Sequence, residues 1–149
     1  MGFGGRLFTV FKFRSMVRNA AALGPYFTTA DDPRITHVGR ILRRTSLDEL
    51  PQIFNVIRGE MSLVGPRPHA VQHDLEYAQQ IAHYFARHKI KPGITGLAQV
   101  RGYRGETRDL GMMMLRVESD IEYINNWSLW SDLAILVRTT RALSGKNAY

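Results

Sequence analysis

The feature that most constrains this chain is a run of short polar and proline-rich motifs near its middle. It begins with Ser-Leu-Asp-Glu-Leu-Pro-Gln at residues 46–52. Ser46 and Glu49 have the spacing of a capping box, which predicts the start of a helix. Asp48 and Glu49 would then lie at the positive end of the helix dipole, which favours ionised carboxylates. Asp48 is thus a candidate nucleophile or magnesium ligand, although acidic residues also occur at helix starts without any further role.

An apolar stripe follows the two carboxylates along the same helix. Its members recur every three or four residues, so the stripe is expected to pack on a core. The stripe consists of Leu47, Leu50, Phe54 and Ile57. Pro51 lacks a backbone N–H and therefore predicts an irregular first turn.

Arginines flank the carboxylate pair on both sides. Arg43 and Arg44 precede it, and Gly-Pro-Arg-Pro at residues 65–68 follows it. The two prolines stiffen the backbone around Arg67, whose guanidinium can bind a phosphate at two points, which a lysine cannot do. Carboxylates among arginines suit phosphoryl transfer, because cations neutralise diphosphate oxygens and carboxylates hold magnesium. Such a proline-arginine loop is also found as a plain structural turn.

Composition narrows the class of partner. The 149 residues fit one domain, and a net charge of +7 indicates an anionic partner: nucleic acid, an anionic membrane surface or a phosphorylated substrate. The absence of cysteine excludes disulfides and thiolate metal sites. The sequence has no Walker-type phosphate loop, no dinucleotide fingerprint and no nucleophile elbow.

The pattern of apolar residues predicts an α+β (α/β-like) domain with helices around a few short strands. We expect strands at residues 7–14 and 97–100, with residues 91–96 as a loop. A helix should open at Pro68 and carry an apolar stripe of Val71, Leu75, Ala78, Ile81, Ala82 and Phe85. His69 and His73 have zinc-ligand spacing on it, but without a third ligand they read as surface or substrate-side histidines.

Two further helices are expected near the C-terminus. The first starts at Thr107 or Asp109, and the second runs from Ser128 to about Leu143. On the second, Trp127 and Trp130 accompany an apolar stripe with arginines further along, a pattern typical of a helix in a membrane interface. An ordinary amphipathic helix packed on the core has the same pattern.

Four motifs in fixed order resemble the bacterial sugar transferase family, the monotopic polyprenyl-phosphate phosphoglycosyl transferases. They are Lys-Phe-Arg-Ser-Met at residues 12–16, the motif at 46–52, Asn-Val-Ile-Arg-Gly-Glu-Met-Ser-Leu-Val-Gly-Pro-Arg-Pro at 55–68, and Lys-Pro-Gly-Ile-Thr-Gly-Leu-Ala-Gln-Val at 91–100. The stretches 31–36, 104–107 and 145–149 further resemble the exopolysaccharide and O-antigen branch.

The resemblance implies transfer of a hexose 1-phosphate from a UDP-sugar to undecaprenyl phosphate, with release of UMP and ping-pong kinetics. Asp48 would be the nucleophile that forms an aspartyl-phosphosugar, and Glu49, with Asp48, would bind Mg²⁺. By motif position, phosphate charge would be stabilised by Lys12, Arg43 and Arg67, and Asp132 would support the site.

The resemblance also implies a location at the cytoplasmic face of the inner membrane. Family members carry an N-terminal membrane-penetrating segment, which these residues lack, so residues 1–149 are expected to be an N-terminally truncated catalytic domain. Two alternatives remain at this point: an inactive truncated paralogue, or a basic module that binds membranes or nucleic acid. No nucleic-acid motif is present, so no nucleic-acid partner is expected.

Overall fold

The computed structural model describes residues 1–23, 32–103 and 110–143. Within these ranges the chain is a helix-rich α+β domain with a small parallel sheet, as the pattern predicted. Its elements in chain order are α1 (His37–Thr45), α2 (Gln52–Ile57), β1 (Ser62–Val64), α3 (Val71–Ala78), β2 (Gly93–Thr95), α4 (Leu97–Val100), α5 (Leu110–Asn125) and α6 (Leu129–Leu143).

The sheet fixes the loop that carries Arg67. Strands β1 and β2 run parallel, with Ser62 opposite Gly93 and Val64 opposite Thr95. A Cβ atom on Gly93 would lie 2.1 Å from the Gly65 backbone nitrogen, so only glycine permits this approach. The prediction of a plain loop at 91–96 is therefore wrong, because proline and glycine here surround a short strand.

The predicted strand at residues 7–14 is also wrong. This segment is extended, but it joins no sheet in the part of the chain that the structure describes. The buried side chain of Asn55 takes the place of a partner strand: its Oδ1 accepts from Phe11 N at 3.0 Å, and its Nδ2 donates to Thr9 O at 2.8 Å. The segment is thereby bound alongside the carboxylate pair, where Phe13 N donates to Asp48 O at 2.9 Å.

Residues 97–100 form the short helix α4 rather than the predicted strand. Arg101 N donates to Leu97 O at 3.1 Å, which closes a helical turn. Four residues are too few for periodicity to separate a strand from one turn of helix.

The helix predicted from Pro68 is shorter than expected, and only part of its predicted apolar stripe is buried. Helix α3 starts at Val71, and His83, with φ of 60°, separates it from a 3₁₀ segment at Tyr84–Lys89. Val71, Leu75 and Phe85 of the expected stripe are exposed. Ile81 of the expected stripe is buried, and Ala78 packs beside it. They join a cluster formed with α5, whose members are Tyr77, Ile81, Tyr84, Met113 and Val117.

The stripe that follows the carboxylates does not pack on the core. All four residues are exposed, and Ile57 reaches 76% exposure. The capping box does not form either, since Ser46 has φ of 58°, makes no side-chain cap and ends α1. Pro51 does interrupt the helix as predicted, and a 3₁₀ turn at Leu47–Glu49 precedes α2.

Helix α6 was located correctly. Its buried side packs through Ile135 against Val64 and Tyr123, while Trp130 on the other side is 80% exposed. None of the described helices is both long and apolar enough to cross a bilayer. The expected start of α5 at Thr107 or Asp109 lies outside the described residues.

Candidate active site

Glu49 is held by two cations from distant parts of the chain. Lys12 Nζ lies 3.0 Å from Glu49 Oε1, and Arg67 Nη1 donates to Glu49 Oε2 at 2.9 Å. The second terminal nitrogen of Arg67 contacts Glu49 Oε1, so the guanidinium binds the carboxylate at two points. Burial would raise the pKa of Glu49, but Arg67 and Lys12 outweigh it and hold that pKa well below its usual range. Glu49 is therefore a permanent anion that fixes the side chain of Arg67.

The Asp48 carboxylate has a different environment from that of Glu49, although the two residues are adjacent in sequence. It is buried, with 9% of its surface exposed, and no hydrogen bond to its carboxylate is found among the described residues. Burial raises its pKa, and repulsion from Glu49 adds to the effect, while the charges of Lys12, Arg43 and Arg67 oppose it. Asp48 therefore has oxygens available for a new bond in a strongly cationic environment.

Arg43 is brought to the site by the packing of α1. A Cβ atom on Gly39 would lie 1.9 Å from Ser15 O, so α1 sits directly on the segment that carries Lys12. Arg43 Nε donates to Ser15 Oγ at 2.8 Å, which orients the guanidinium. All three predicted phosphate-binding residues thus act on one carboxylate pair.

Asp132 is connected to the site only at a distance. Its Oδ1 accepts from Tyr123 Oη at 2.7 Å and its Oδ2 from Trp127 Nε1 at 3.2 Å. Tyr123 Oη also lies 3.5 Å from Val64 O, at the end of the strand that leads into the Arg67 loop. This arrangement suits a supporting residue that contacts neither carboxylate directly.

Asn55 is the residue that sequence analysis missed. It is fully buried and binds the Lys12 segment by both atoms of its amide, with a further bond from Nδ2 to Glu60 Oε2 at 2.7 Å. The sequence carried no clear signal for it, because the apolar stripe beside Asn55 was the face expected to be buried, whereas the buried residues of α2 are Gln52 and Asn55.

Two grooves each include part of the charged cluster in their lining. One, of about 550 Å³, is lined by Lys12, Gln52 and Arg67. The other, of about 650 Å³, has Glu49 at its edge and is otherwise mostly apolar, with Leu50 and Phe54 among its walls. The first groove thus combines two cations with apolar residues such as Leu7 and Val10, whereas Glu49 is the only charged residue that lines the second among the described residues.

The donor set fits a magnesium ion bound together with a phosphate. Mg²⁺ prefers carboxylate oxygens and commonly takes only one or two of them from the protein, with substrate phosphates as further ligands. Asp48 and Glu49 are adjacent in the chain and both carry such oxygens, of which those of Glu49 also accept hydrogen bonds from Lys12 and Arg67. No group of three or more potential ligands occurs among the described residues, so a substrate phosphate would have to complete the site.

The chain is similar to known proteins over nearly its whole length. A family model described as bacterial sugar transferase matches residues 1–146. The UDP-glucose:undecaprenyl-phosphate glucose-1-phosphate transferase of Xanthomonas campestris pv. campestris is 55% identical over 99% of this chain and 31% of its own length. The protein of the same name from Caulobacter vibrioides is 52% identical over 99% of this chain and 56% of its own length.

Relatives with another sugar in their name also match. The undecaprenyl-phosphate galactose phosphotransferase of Salmonella typhimurium is 44% identical over 96% of this chain and 32% of its own length. The chain thus spans about a third to a half of the length of these relatives. With the family model covering all but three of its residues, the chain belongs to the bacterial sugar transferase family.

Proposed function

We propose that this chain is the catalytic part of a phosphoglycosyl transferase that moves a hexose 1-phosphate from a UDP-sugar to undecaprenyl phosphate. The observation that carries the proposal is the difference between two adjacent carboxylates. Glu49 is bound by Lys12 and Arg67, whereas the Asp48 carboxylate accepts no hydrogen bond from the described residues and lies in the field of three cations. This is the arrangement that a carboxylate nucleophile needs when it attacks a phosphate anion.

In the first step, an Asp48 oxygen attacks the β-phosphorus of the UDP-sugar. The bond between that phosphorus and the bridging oxygen breaks, and UMP leaves with the electron pair. The product is an aspartyl-phosphosugar, and the guanidinium of Arg67 is positioned to neutralise the non-bridging oxygens during the transfer.

In the second step, a phosphate oxygen of undecaprenyl phosphate attacks the same phosphorus. The bond to Asp48 breaks, the carboxylate is regenerated, and a lipid-linked diphosphosugar leaves. We assign the nucleotide to the groove beside Lys12 and Arg67 and the first isoprene units to the apolar groove beside Glu49. One phosphorus site can then serve both substrates in turn.

Asp48 and Glu49 would hold the magnesium ion, which when bound supplies additional positive charge for the diphosphate. Relatives named as undecaprenyl-phosphate transferases of glucose and of galactose support the substrate class. They differ in the sugar, so the proposal extends to a hexose and no further.

The proposal predicts a covalent adduct on Asp48. The protein is incubated with UDP-glucose and Mg²⁺ without lipid, quenched in acid, digested and examined by mass spectrometry. We expect stoichiometric UMP release in a single burst and one hexose phosphate on the peptide that contains Asp48, because no acceptor completes the second step. Bound UDP-glucose without UMP release or adduct would indicate an inactive paralogue instead.

We also propose that the chain lies on the cytoplasmic face of the inner membrane, held in part by its own surface. Helix α6 exposes Trp130 and Val137, the residue Trp127 just before it is also exposed, and the stripe on α2 exposes Phe54 and Ile57. Tryptophans beside apolar residues, on a chain of net charge +7, suit an anionic lipid interface. The apolar groove opens beside the α2 stripe, where a lipid substrate would arrive.

The membrane proposal predicts that Trp127→Ser combined with Trp130→Ser weakens binding to phosphatidylglycerol vesicles about tenfold, because two large aromatic surfaces no longer leave water. Vesicle co-sedimentation at fixed ionic strength measures the effect. Leu75→Ser removes a comparably exposed apolar residue from α3 and should leave binding unchanged. If the double tryptophan variant and Leu75→Ser lost equal vesicle binding, the two tryptophans would have no specific role in membrane binding.

A further inference from the structure

A second charged cluster is buried directly behind the Arg67 loop. Its centre is Arg87, which is 2% exposed. One terminal nitrogen of Arg87 donates to Asp120 Oδ2 of α5 at 2.7 Å and to the backbone oxygen of Arg67 at 2.8 Å. The other donates to Nδ1 of His69 at 2.6 Å. Arg87 therefore bonds the Arg67 loop on both sides of Pro68 and ties it to α5.

The acceptors around Arg87 are themselves fixed. Burial and the positive charge of Arg87 keep the pKa of His69 well below its usual range. Because a guanidinium can only donate, His69 Nδ1 is the acceptor in its contact with Arg87, and Nδ1 also lies 2.7 Å from Tyr84 Oη. Tyr84 Oη accepts from Arg87 at 3.1 Å and donates to Asp74 Oδ1 at 2.8 Å. The side chain of His69 is thus largely buried and is not a surface histidine, although the residue also lines the groove beside Lys12 and Arg67, as the substrate-side interpretation expected.

We propose that Arg87 is a positioning residue that sets the backbone of Arg67 for phosphate binding. The inference rests on the proposed function, in which Arg67 neutralises the phosphate. Gly93 N already bonds Pro66 O at 2.9 Å, so β2 fixes the loop before Arg67 and Arg87 fixes it at Arg67 and beyond. The rigid side-chain fork of an arginine is required, because one ammonium cannot reach Asp120, Arg67 O and His69 together.

A double-mutant cycle tests whether Arg87 acts through Arg67. Arg87→Lys keeps the charge but loses the fork, and it should slow UMP release about tenfold in the native background. In an Arg67→Lys background the same change should cost less than about twofold, because the positioned group is already gone. An Arg87 that serves stability alone would cause the same fold-loss in both backgrounds, and that outcome would overturn the proposal.

A readout independent of turnover separates this proposal from the enzymatic one. In protein with ¹⁵N-labelled arginine, the Nε–H resonance of Arg67 is assigned by its loss in Arg67→Lys. Arg87→Lys should shift this resonance without any substrate present, even if UMP release fails. A resonance that does not move would reject positioning whatever the kinetics show.

Two further variants keep the test decisive. If Arg87→Lys does not fold, Arg87→Met with Asp120→Leu removes both charges at similar volume and should shift the Arg67 resonance in the same way. The matched control is Arg34→Lys, which disrupts another buried pair in which Arg34 Nε donates to Asp32 Oδ1 at 2.8 Å. The fold-loss in UMP release caused by Arg34→Lys should be the same in the native and the Arg67→Lys backgrounds, and the Arg67 resonance should not move. If Arg34→Lys and Arg87→Lys shifted the Arg67 resonance equally, the shift would report a general loss of stability and not positioning by Arg87.

Discussion

Asp48→Asn is expected to reduce UMP release from UDP-glucose by at least about 1,000-fold, because an amide oxygen cannot form the bond to phosphorus. The same variant should be at least as stable as the native protein at pH 7. Burial and Glu49 raise the pKa of Asp48, which means that folding disfavours its ionised form. A neutral amide of the same shape removes that cost. Initial rates and thermal midpoints measure the two effects on one sample.

The control is Glu76→Gln, which neutralises an exposed carboxylate on α3 and should preserve both rate and midpoint. A pronounced fall in the midpoint of Asp48→Asn would mean that the native carboxylate stabilises the fold, contrary to its raised pKa. Retention of most of the activity would assign Asp48 a role other than nucleophile. Either result would contradict the proposed roles of Asp48 as nucleophile and Glu49 as the anion that holds Arg67.

Long helices were the part of the fold that the sequence predicted well. The bounds of helix α6 were predicted to within one residue, although Ile135, through which it packs on the core, was not among the apolar residues expected to share a face. The sheet was not predictable, because each strand has only three residues and β2 contains Gly93, which is a turn signal in most sequences. The segment at 7–14 has the composition of a strand, but its backbone bonds to the Asn55 side chain and to Asp48 O rather than to a neighbouring strand.

The predicted site residues converge because they were inferred from motifs rather than from periodicity. Lys12 and Arg67 meet Glu49 although 55 positions separate the two cations, which no local pattern indicates. The sequence could not predict that Glu49 is bound by two cations with a lowered pKa, whereas Asp48 has a raised pKa and no hydrogen bond to its carboxylate from the described residues. That difference depends on the direction in which each side chain points, and the left-handed conformation of Ser46 sets the turn. The exposed stripe that begins at Leu47 follows from the same turn.

Glu49→Gln is the contrasting change one position along the chain, and it should lower both activity and stability. We expect UMP release to fall by about 100-fold, because Arg67 loses its two-point partner and the magnesium site loses a carboxylate. The free energy of unfolding at pH 7 should fall by about 2 kcal/mol, since Lys12 and Arg67 are left without their anion. Raising the Mg²⁺ concentration should recover part of the rate.

The difference in stability between the native protein and Glu49→Gln should become smaller as the pH falls. The folded pKa of Glu49 is depressed, so its contribution is fully present above the unfolded pKa and is lost as the pH falls through the folded one. Thermal midpoints of the native protein and Glu49→Gln should therefore differ at pH 7 and approach each other as the pH falls below about 4. Asp48→Asn should show no such loss at pH 7. If both variants lost equal stability there, the two carboxylates would share one environment, and the assignment of nucleophile and anchor to separate residues would fail.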